Sequence, residues 1–284
     1  MLAPAISLEG CGGPCGPLRA PEIEWRHRPA CCDSGPVRID YFGERVAARY
    51  DEDDAEMFAP AAVDPVADFL AALAREADPD KPSALELGIG TGRIAVPLSG
   101  RGVQVHGIDL SDAMLARLRG KPGAQRIRVT PGDFATATAG RTFGLVYLVY
   151  NTIGNLTSQD DQVDCFRNAA AHLAPGGHFV IEVGVPDLRL LPPGQTVVPF
   201  RAEPDRLGFD EYDLVHQGMV SRHYWRSGDR WESASVPFRY VWPAELDLMA
   251  RIAGMRLRER WADWDRSAFT GDSRTHVSVW RKDS

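Results

Sequence analysis

Apolar positions along the middle of the chain follow two alternating spacings. From Val66 to Leu73 they recur at i, i+3, i+4 and i+7, which predicts an amphipathic helix with Asp64 as its cap and Pro65 as its first residue. Short apolar runs then alternate with polar, helix-compatible stretches, at residues 84–87, 103–108, 126–129, 143–150 and 179–183. Strands that alternate with helices form parallel βαβ units, so the pattern predicts an α/β fold with a mostly parallel sheet and helices on both faces.

Local signals place several boundaries within this pattern. Ser111 and Ser158 are predicted helix caps, and Asp161 stands three residues after the second of them, as in an imperfect capping box. The Pro-Gly-Gly sequence at 175–177 predicts a turn before the fifth strand.

The pattern changes after Val185. Residues 186–241 contain prolines, glycines, many aromatic residues and stretches of period two, which predict an antiparallel insertion. A helix over Pro243–Ala253 ends at Gly254, and two strands, Arg256–Trp264 and Thr275–Trp280, complete the domain.

The first 38 residues predict a poorly ordered extension, rich in glycine and proline, ahead of a single domain over 39–284. Four of the five cysteines lie in this extension: Cys11, Cys15, Cys31 and Cys32. Their spacing contains no paired CxxC motif and no histidine at zinc-finger distance, so we predict no metal site there. The acidic run Asp51–Asp54 is interpreted as a solvated helix start rather than a metal site.

Charge and hydropathy exclude two classes of partner. The chain has 32 Lys and Arg against 39 Asp and Glu, a net charge of -7, and no basic run, whereas duplex binding depends on clustered positive charge. No apolar segment approaches the length of a membrane helix, and the amino terminus lacks the pattern of a secretory signal. We therefore expect a cytoplasmic protein that binds neither nucleic acid nor membrane.

The strongest chemical signal is a glycine-rich turn after the first strand. The sequence reads ELGIGTG over residues 86–92, with glycines at Gly88, Gly90 and Gly92. Glycines let backbone N–H groups approach a ligand closely, and in open α/β sheets this turn lies at the carboxyl end of the strands, where ligands bind.

Acidic residues end three successive strands at the same predicted edge. Glu86 and Asp109 are separated by 23 positions, and an acid about 20 residues after the glycine turn is placed to accept ribose hydroxyls. Asp133 follows the third strand, where it could hold an adenine amino group while Met114 covers the ring. Glu86 could accept a hydrogen bond from an ammonium group of the ligand.

The spacing of the glycines separates possible cofactors. Dinucleotide enzymes require G-x-G-x-x-G, but here the third glycine comes one position early and Arg93 occupies the expected place. A nicotinamide cofactor also has no ammonium for Glu86. No Gly-Lys-Ser/Thr follows the turn, so a phosphate-binding P-loop is excluded.

Four ordered motifs, 86–92, 107–114, 132–134 and Leu-Ala-Pro-Gly-Gly at 173–177, resemble those of class I S-adenosylmethionine-dependent methyltransferases. The resemblance implies a Rossmann-like seven-stranded sheet whose last strand is antiparallel. It also implies that Glu86 and the glycine turn hold the methionine end of S-adenosylmethionine, with Asp109 at the ribose and Asp133 at the adenine. Tyr50 matches a tyrosine that covers the cofactor in small-molecule members of the family.

The predicted function is methyl transfer from S-adenosylmethionine to a nitrogen or oxygen of a small molecule. Two alternatives stay open: a catalytically silent cofactor-binding or regulatory protein of the same fold, and a nicotinamide-dependent oxidoreductase. No catalytic residue is predicted, because positioning a nucleophile near the methyl carbon supplies most of the catalysis. Tyr150 and Asn151, after the fourth strand, are candidates for orienting substrate or cofactor, and a packing role at the strand end is the open alternative. Thr152 and Ile153 follow Asn151, so the Asp/Asn-Pro-Pro-aromatic motif of nucleobase methyltransferases is absent here.

The insertion contains a cluster of aromatic residues and two histidines that could form an acceptor pocket or a core or dimer face. The acceptor and the oligomeric state, including a homodimer through the insertion, are left open. The candidates are His216, His223, Tyr224, Trp225, Trp231, Tyr240, Trp242, Trp261 and Trp264.

Overall fold

A computed structural model describes residues 40–53, 55–186 and 188–283. The extension predicted over 1–38, with its four cysteines, lies outside the described residues. The core is a seven-stranded sheet, and a separate four-stranded antiparallel sheet lies in the insertion.

The seven-stranded sheet is mostly parallel, as predicted. Its strands are β1 Ser83–Leu87, β2 Gln104–Asp109, β3 Arg128–Pro131, β4 Phe143–Leu148, β5 Leu173–Gly184, β10 Met255–Trp261 and β11 Thr275–Lys282. Their order in the sheet is β10-β11-β5-β4-β1-β2-β3. Strands β1 to β5 pair in parallel, and β11 is antiparallel to both of its neighbours. Every residue of β1 and β4 is buried, which explains why these strands appear in the sequence as continuous apolar runs.

Helices cover both faces of this sheet, and two hydrophobic clusters fill the space between helices and strands. The helices are α1 Glu44–Ala47, α2 Tyr50–Asp53, α3 Pro60–Ala77, α4 Ala95–Gly100, α5 Asp112–Arg119, α6 Gln159–His172 and α7 Pro243–Ile252. Both predicted serine caps are confirmed, since Ser111 accepts from the Met114 amide and Ser158 from the Asp161 amide. Short 3-10 helices lie at Ala55–Phe58, Ala124–Arg126, Thr152–Asn155 and Leu188–Leu190.

Two sequence predictions about local boundaries were wrong. Helix α3 begins at Pro60, which takes the first helical position, so Pro65 lies inside the helix and Asp64 is not its cap. The Pro-Gly-Gly sequence at 175–177 lies within β5, where the β4–β5 register shifts and Gly176 has φ +75°. These residues therefore form a bulge within the strand and do not end it.

The predicted antiparallel insertion is confirmed. Its strands are β6 Val197–Ala202, β7 Arg206–Asp213, β8 Gly218–Ser227 and β9 Arg230–Arg239. At one end of this sheet, Arg239 of β9 forms an ion pair of 2.7 Å with Glu245 of α7, and both side chains are largely buried. This contact joins the insertion to α7, which packs against α6 and β10.

The segment formed by residues 40–53 and 55–58, here called the N-terminal segment, packs across the carboxyl ends of the central strands. The Thr91 hydroxyl of the glycine turn donates to Asp51 at 2.6 Å, and the Ser111 hydroxyl donates to the Phe42 carbonyl at 2.9 Å. Asp51 also accepts from Lys121 at 2.5 Å. This residue of the acidic run Asp51–Asp54 therefore contacts both a threonine and a lysine. Among the described residues, no helix is long and apolar enough to cross a bilayer.

Candidate active site

The glycine turn after β1 is held in a backbone conformation that side chains resist. Gly88, Gly90 and Gly92 have φ values of +75°, +53° and +79°. A Cβ atom added to Gly88 would lie 2.6 Å from Thr152 Cγ2, and one added to Gly92 would collide with Leu118. The turn therefore needs glycine both for its dihedral angles and for its close neighbours.

Asp109, the last residue of β2, faces this turn. Its Oδ2 accepts from the Gly90 amide at 2.7 Å and its Oδ1 from the Ser111 amide at 2.9 Å. Each carboxylate oxygen has a second lone pair for a ligand hydroxyl. Burial raises the pKa of Asp109, and the amide hydrogen bonds act in the opposite direction.

Glu86 lies deeper in the molecule, with 3% of its surface exposed. The Tyr147 hydroxyl of β4 donates to Glu86 Oε2 at 2.8 Å. Burial raises the pKa of Glu86 to about 8, although the Tyr147 bond and the positive charge of Arg93 lower it. Without a cationic partner in direct contact, this carboxyl group is largely protonated at pH 7.

A cavity opens between the glycine turn, the strand ends and the N-terminal segment. Six of the residues predicted from the sequence line it: Tyr50, Gly88, Gly90, Asp109, Met114 and Asp133. The structure thus brings together residues that are up to 83 positions apart in the chain.

The other three predicted residues do not line this cavity. Glu86 is buried behind the glycine turn, and Gly92 packs against Leu118 on the far side of the turn. The Tyr150 ring lies beneath the Arg93 guanidinium, 4.8 Å from Cζ to the ring centroid. These three residues therefore lie outside the cavity lining and contact its neighbouring residues.

Tyr150 and Asn151 form an unusual turn after β4, because both are left-handed, with φ of 60° and 59°. Residues other than glycine rarely adopt this conformation, and at adjacent positions it costs free energy that neighbouring contacts must offset. Glu182 of β5 accepts from the Tyr150 amide at 2.9 Å, and Asn151 Oδ1 accepts from the Gly184 amide at 2.7 Å. These bonds hold the turn at the edge of the cavity, where the next residue, Thr152, lines the wall.

Sequence reasoning missed several residues of this site. Tyr147 is the polar member of a buried strand, and Glu182 is an acid within the apolar fifth strand. An ionisable or hydroxyl-bearing side chain inside a continuous apolar run is a signal that could have identified both. Thr152 and Asn155 lack such a signal, because only the folded turn brings them to the cavity.

The aromatic residues that are close in sequence do not form one pocket. The Trp264 ring packs on Phe69, with centroids 5.4 Å apart, as part of the core. Tyr240 lies between Tyr212 and Trp242, at centroid distances of 5.8 and 6.5 Å. Within the described residues, no group of three or more His, Cys, Asp or Glu side chains is arranged to hold a metal ion.

The fold and the site define a class: an α/β enzyme that binds a nucleoside-containing ligand beside a glycine turn and strand-end carboxylates. Comparison with known proteins identifies the family within this class. A family model described as "Methyltransferase domain" matches residues 84–177, which include the turn and the carboxylates.

The structure of the CcbJ methyltransferase from Streptomyces caelestis superimposes with a TM-score of 0.75 at 35% sequence identity, covering 87% of this chain and all of that one. The cypemycin N-terminal methyltransferase of a Streptomyces species is 27% identical over 212 residues, 70% of this chain and 83% of that protein. A dTDP-3-amino-3,6-dideoxy-alpha-D-glucopyranose N,N-dimethyltransferase from Streptomyces fradiae is 34% identical over 40% of this chain, and the match spans only 44% of that relative's length.

The chain belongs to the class I S-adenosylmethionine-dependent methyltransferases. The family and cofactor predicted from the sequence are confirmed, and the oxidoreductase and the catalytically silent protein are not supported.

Proposed function

We propose that this enzyme transfers the methyl group of S-adenosylmethionine to the amino nitrogen of a small molecule. The observation that carries the proposal is the cavity bounded by Gly88, Asp109 and Asp133, in a chain whose relatives include methyltransferases for a peptide amino terminus and for amino sugars. Oxygen is the second acceptor atom that the sequence leaves open.

The residues of the cavity fit the cofactor. Asp109 has spare lone pairs for two ribose hydroxyls, and Asp133 and Met114 supply the acceptor and the apolar surface that an adenine would need. Tyr50 of the N-terminal segment also lines the cavity. Three aspartates line the cavity, Asp40, Asp109 and Asp133, and their charge favours a cationic ligand.

Glu86, Gly90, Gly92 and Tyr150 have supporting roles in this proposal. Gly90 ties the turn to Asp109, and Gly92 lets the turn pack closely on α5. Glu86 provides a buried carboxyl group that gains a charge partner when an ammonium group comes near. Tyr150 holds its turn beneath Arg93.

When bound, S-adenosylmethionine supplies a methyl carbon on a positively charged sulfur, which is a good leaving group without acid assistance. The chain's own contribution is to position the acceptor, exclude water and remove a proton. The N-terminal segment, tied to the glycine turn by Asp51 and Thr91, covers the cavity and so excludes water from it.

The proposal includes three statements about surroundings. The net charge of -7 supports a chain that does not bind nucleic acid. A cytoplasmic location is proposed because the methyl donor is made there. The register places Val197, Leu207 and Trp231 on the outer face of the four-stranded sheet, all more than 40% exposed, which supports a homodimer through that face.

The test is transfer of labelled methyl from S-adenosylmethionine to a panel of small amines, with matched alcohols as controls. We expect product with at least one primary or secondary amine and none with its alcohol analogue. Transfer to alcohols alone would show that the acceptor atom is oxygen. Binding of S-adenosylhomocysteine without transfer to any member would contradict the proposal.

A further inference from the structure

The short 3-10 helix Thr152–Asn155 borders the cofactor cavity, and its first and last residues, Thr152 and Asn155, line it. Side chains three positions apart in a 3-10 helix lie on the same face, so both extend to the same side of this helix. Ile153, between them, is fully buried, and the Gln162 side chain donates to its carbonyl at 3.2 Å. These contacts hold the helix in place beside the cavity.

The two side chains differ in what they offer to a ligand. The Thr152 hydroxyl donates its proton to the Val149 carbonyl at 2.8 Å, so this donor is already used. No residue that the structure describes donates to Oδ1 of Asn155, although this oxygen is buried. Buried polar atoms of folded proteins are almost always paired. The oxygen of Asn155 therefore indicates a hydrogen-bond donor on the molecule that fills the cavity.

The same part of the cavity contains the residues assigned to adenine. A Cβ atom added to Gly88 would lie 2.6 Å from Thr152 Cγ2 and 3.8 Å from Phe134 Cδ1, so the 3-10 helix and the segment after β3 approach one point. Phe134 follows Asp133 directly, and both line the cavity. Leu156, at the end of the 3-10 helix, also lines the cavity and belongs to the same hydrophobic cluster as Phe134. The 3-10 helix thus lies beside the residues expected to hold the adenine.

Adenine carries a donor and an acceptor side by side on one edge. Its 6-amino group has two hydrogens, and Asp133 is assigned as the acceptor for one of them. The second hydrogen lies beside N7, which accepts hydrogen bonds. A carboxamide matches this edge, since its oxygen accepts from the amino group while its nitrogen donates to N7. Because no described residue donates to Oδ1 of Asn155, the carboxamide can turn about its Cβ–Cγ bond toward this edge.

We propose that Asn155 binds the 6-amino and N7 edge of the cofactor's adenine, and so distinguishes adenine from purines that lack this donor and acceptor pair. The inference rests on the placement of the cofactor in this cavity under the proposed function, but it does not depend on the acceptor atom. Other polar groups of the lining have different partners. The Ser111 hydroxyl donates to the Phe42 carbonyl at 2.9 Å, and Asp109 is assigned to the ribose.

Stability of the ligand-free protein separates a binding role of Asn155 from a structural one. A carboxamide that stabilised the fold would be missed when leucine, a side chain of similar shape, replaces it. A buried oxygen without a donor weakens the fold instead. We therefore expect Asn155→Leu to keep or raise the melting temperature of the ligand-free protein while it weakens ligand binding, an opposition that is typical of functional residues.

Titration calorimetry with S-adenosylhomocysteine measures the contact. We expect Asn155→Leu to raise the Kd about 30-fold, because two hydrogen bonds are lost. The matched control is Gln159→Leu, which removes an exposed carboxamide at the start of α6 that donates to Glu245, outside the cavity lining. Its Kd should stay within about threefold of wild type. A Kd within the same limit for Asn155→Leu would overturn the proposal, and a raised KM for an amine acceptor would then assign Asn155 to the acceptor.

The 7-deaza analogue of S-adenosylhomocysteine, in which a C–H group replaces N7, tests the edge that is bound. Wild type should bind this analogue about tenfold more weakly than S-adenosylhomocysteine, and Asn155→Leu should bind the two ligands alike. Asn155→Asp replaces the donor with a carboxylate oxygen that faces the lone pair of N7. This variant should therefore bind the analogue at least as tightly as S-adenosylhomocysteine. Equal binding of the two ligands by wild type would refute the contact with N7.

A third variant separates this proposal from the placement of the cofactor. Asp109→Ala removes the acceptor assigned to the ribose, so it should weaken binding of both ligands by the same factor. If Asp109→Ala and Asn155→Leu both leave the Kd unchanged, the cofactor does not bind in this cavity and both assignments fail. If only Asn155→Leu leaves it unchanged, the placement stands and the contact with adenine is refuted. None of these titrations needs an acceptor, so a failure to methylate amines would contradict only the proposed function.

Discussion

Replacing Glu86 with glutamine removes a titrating group from the buried end of β1 while it keeps the size of the side chain and an oxygen for the Tyr147 hydroxyl. Burial raises the pKa of Glu86 from 4.5 to about 8. The folded protein therefore keeps a proton there at pH values where the unfolded chain has lost it. Stability falls as the pH rises from about 4.5 toward about 8 and levels off above that.

The size of the effect follows from the shift. One pH unit within this window corresponds to about 1.4 kcal/mol, so this group alone lowers the free energy of unfolding by about 2–3 kcal/mol between pH 5.5 and pH 7.5. Glu86→Gln lacks that contribution. The buried acids Asp109 and Glu182 also have raised pKa values, but they are present in both proteins and cancel in the comparison.

The assay is urea unfolding of the ligand-free protein at both pH values. We expect the wild type to lose about 2–3 kcal/mol more stability than the Glu86→Gln variant over this interval. Tyr147→Phe removes a hydrogen bond that lowers the Glu86 pKa. In this variant the loss of stability with rising pH should therefore continue to higher pH. Parallel pH dependence in wild type and Glu86→Gln would refute the buried, protonated carboxyl group.

Four further substitutions test contacts at and around the site. Gly88→Ala should lower the free energy of unfolding by about 2 kcal/mol or more in urea unfolding and weaken S-adenosylhomocysteine binding in calorimetry, because it adds a clash to a left-handed position. Gly140→Ala, at φ +68° with no neighbour within 4 Å, should cost about 1 kcal/mol in the same experiment and leave binding unchanged. Glu182→Ala leaves a backbone amide of the left-handed turn without its acceptor, and thermal unfolding should report a loss of about 1–3 kcal/mol. Arg239→Ala leaves Glu245 in a buried position without its cation, and a loss of about 3–5 kcal/mol is expected in urea; a loss below 1 kcal/mol would show that the pair is solvated.

Much of the central sheet could be predicted because burial on both faces leaves a direct trace in the sequence. The runs at β1 and β4 are almost entirely apolar. The serine caps at Ser111 and Ser158 mark the starts of the helices that follow β2 and β4. The glycine turn and Asp109 were found for a related reason. They stand at the ends of predicted strands, and parallel strands bring their ends to one edge.

The remaining features depend on contacts that the sequence does not reveal. Pro65 and the glycines at 176–177 are helix and strand breakers by propensity, yet Pro65 lies within α3 and a bulge accommodates the glycines within β5. The left-handed turn at Tyr150 depends on Glu182, 32 residues away. The pairing of Asp210 with Ser221 requires the register of β7 and β8, which alternation alone does not determine.

The most direct test of the account is a crystal structure of the complex with S-adenosylhomocysteine. We predict ligand density in the cavity lined by Gly88, Asp109 and Asp133, with the ribose hydroxyls on Asp109 and the adenine between Met114 and Asp133. Density confined to the recess on the other side of the turn, lined by Pro60, Gly92 and Lys121, would contradict it, as would a ribose that makes no contact with Asp109.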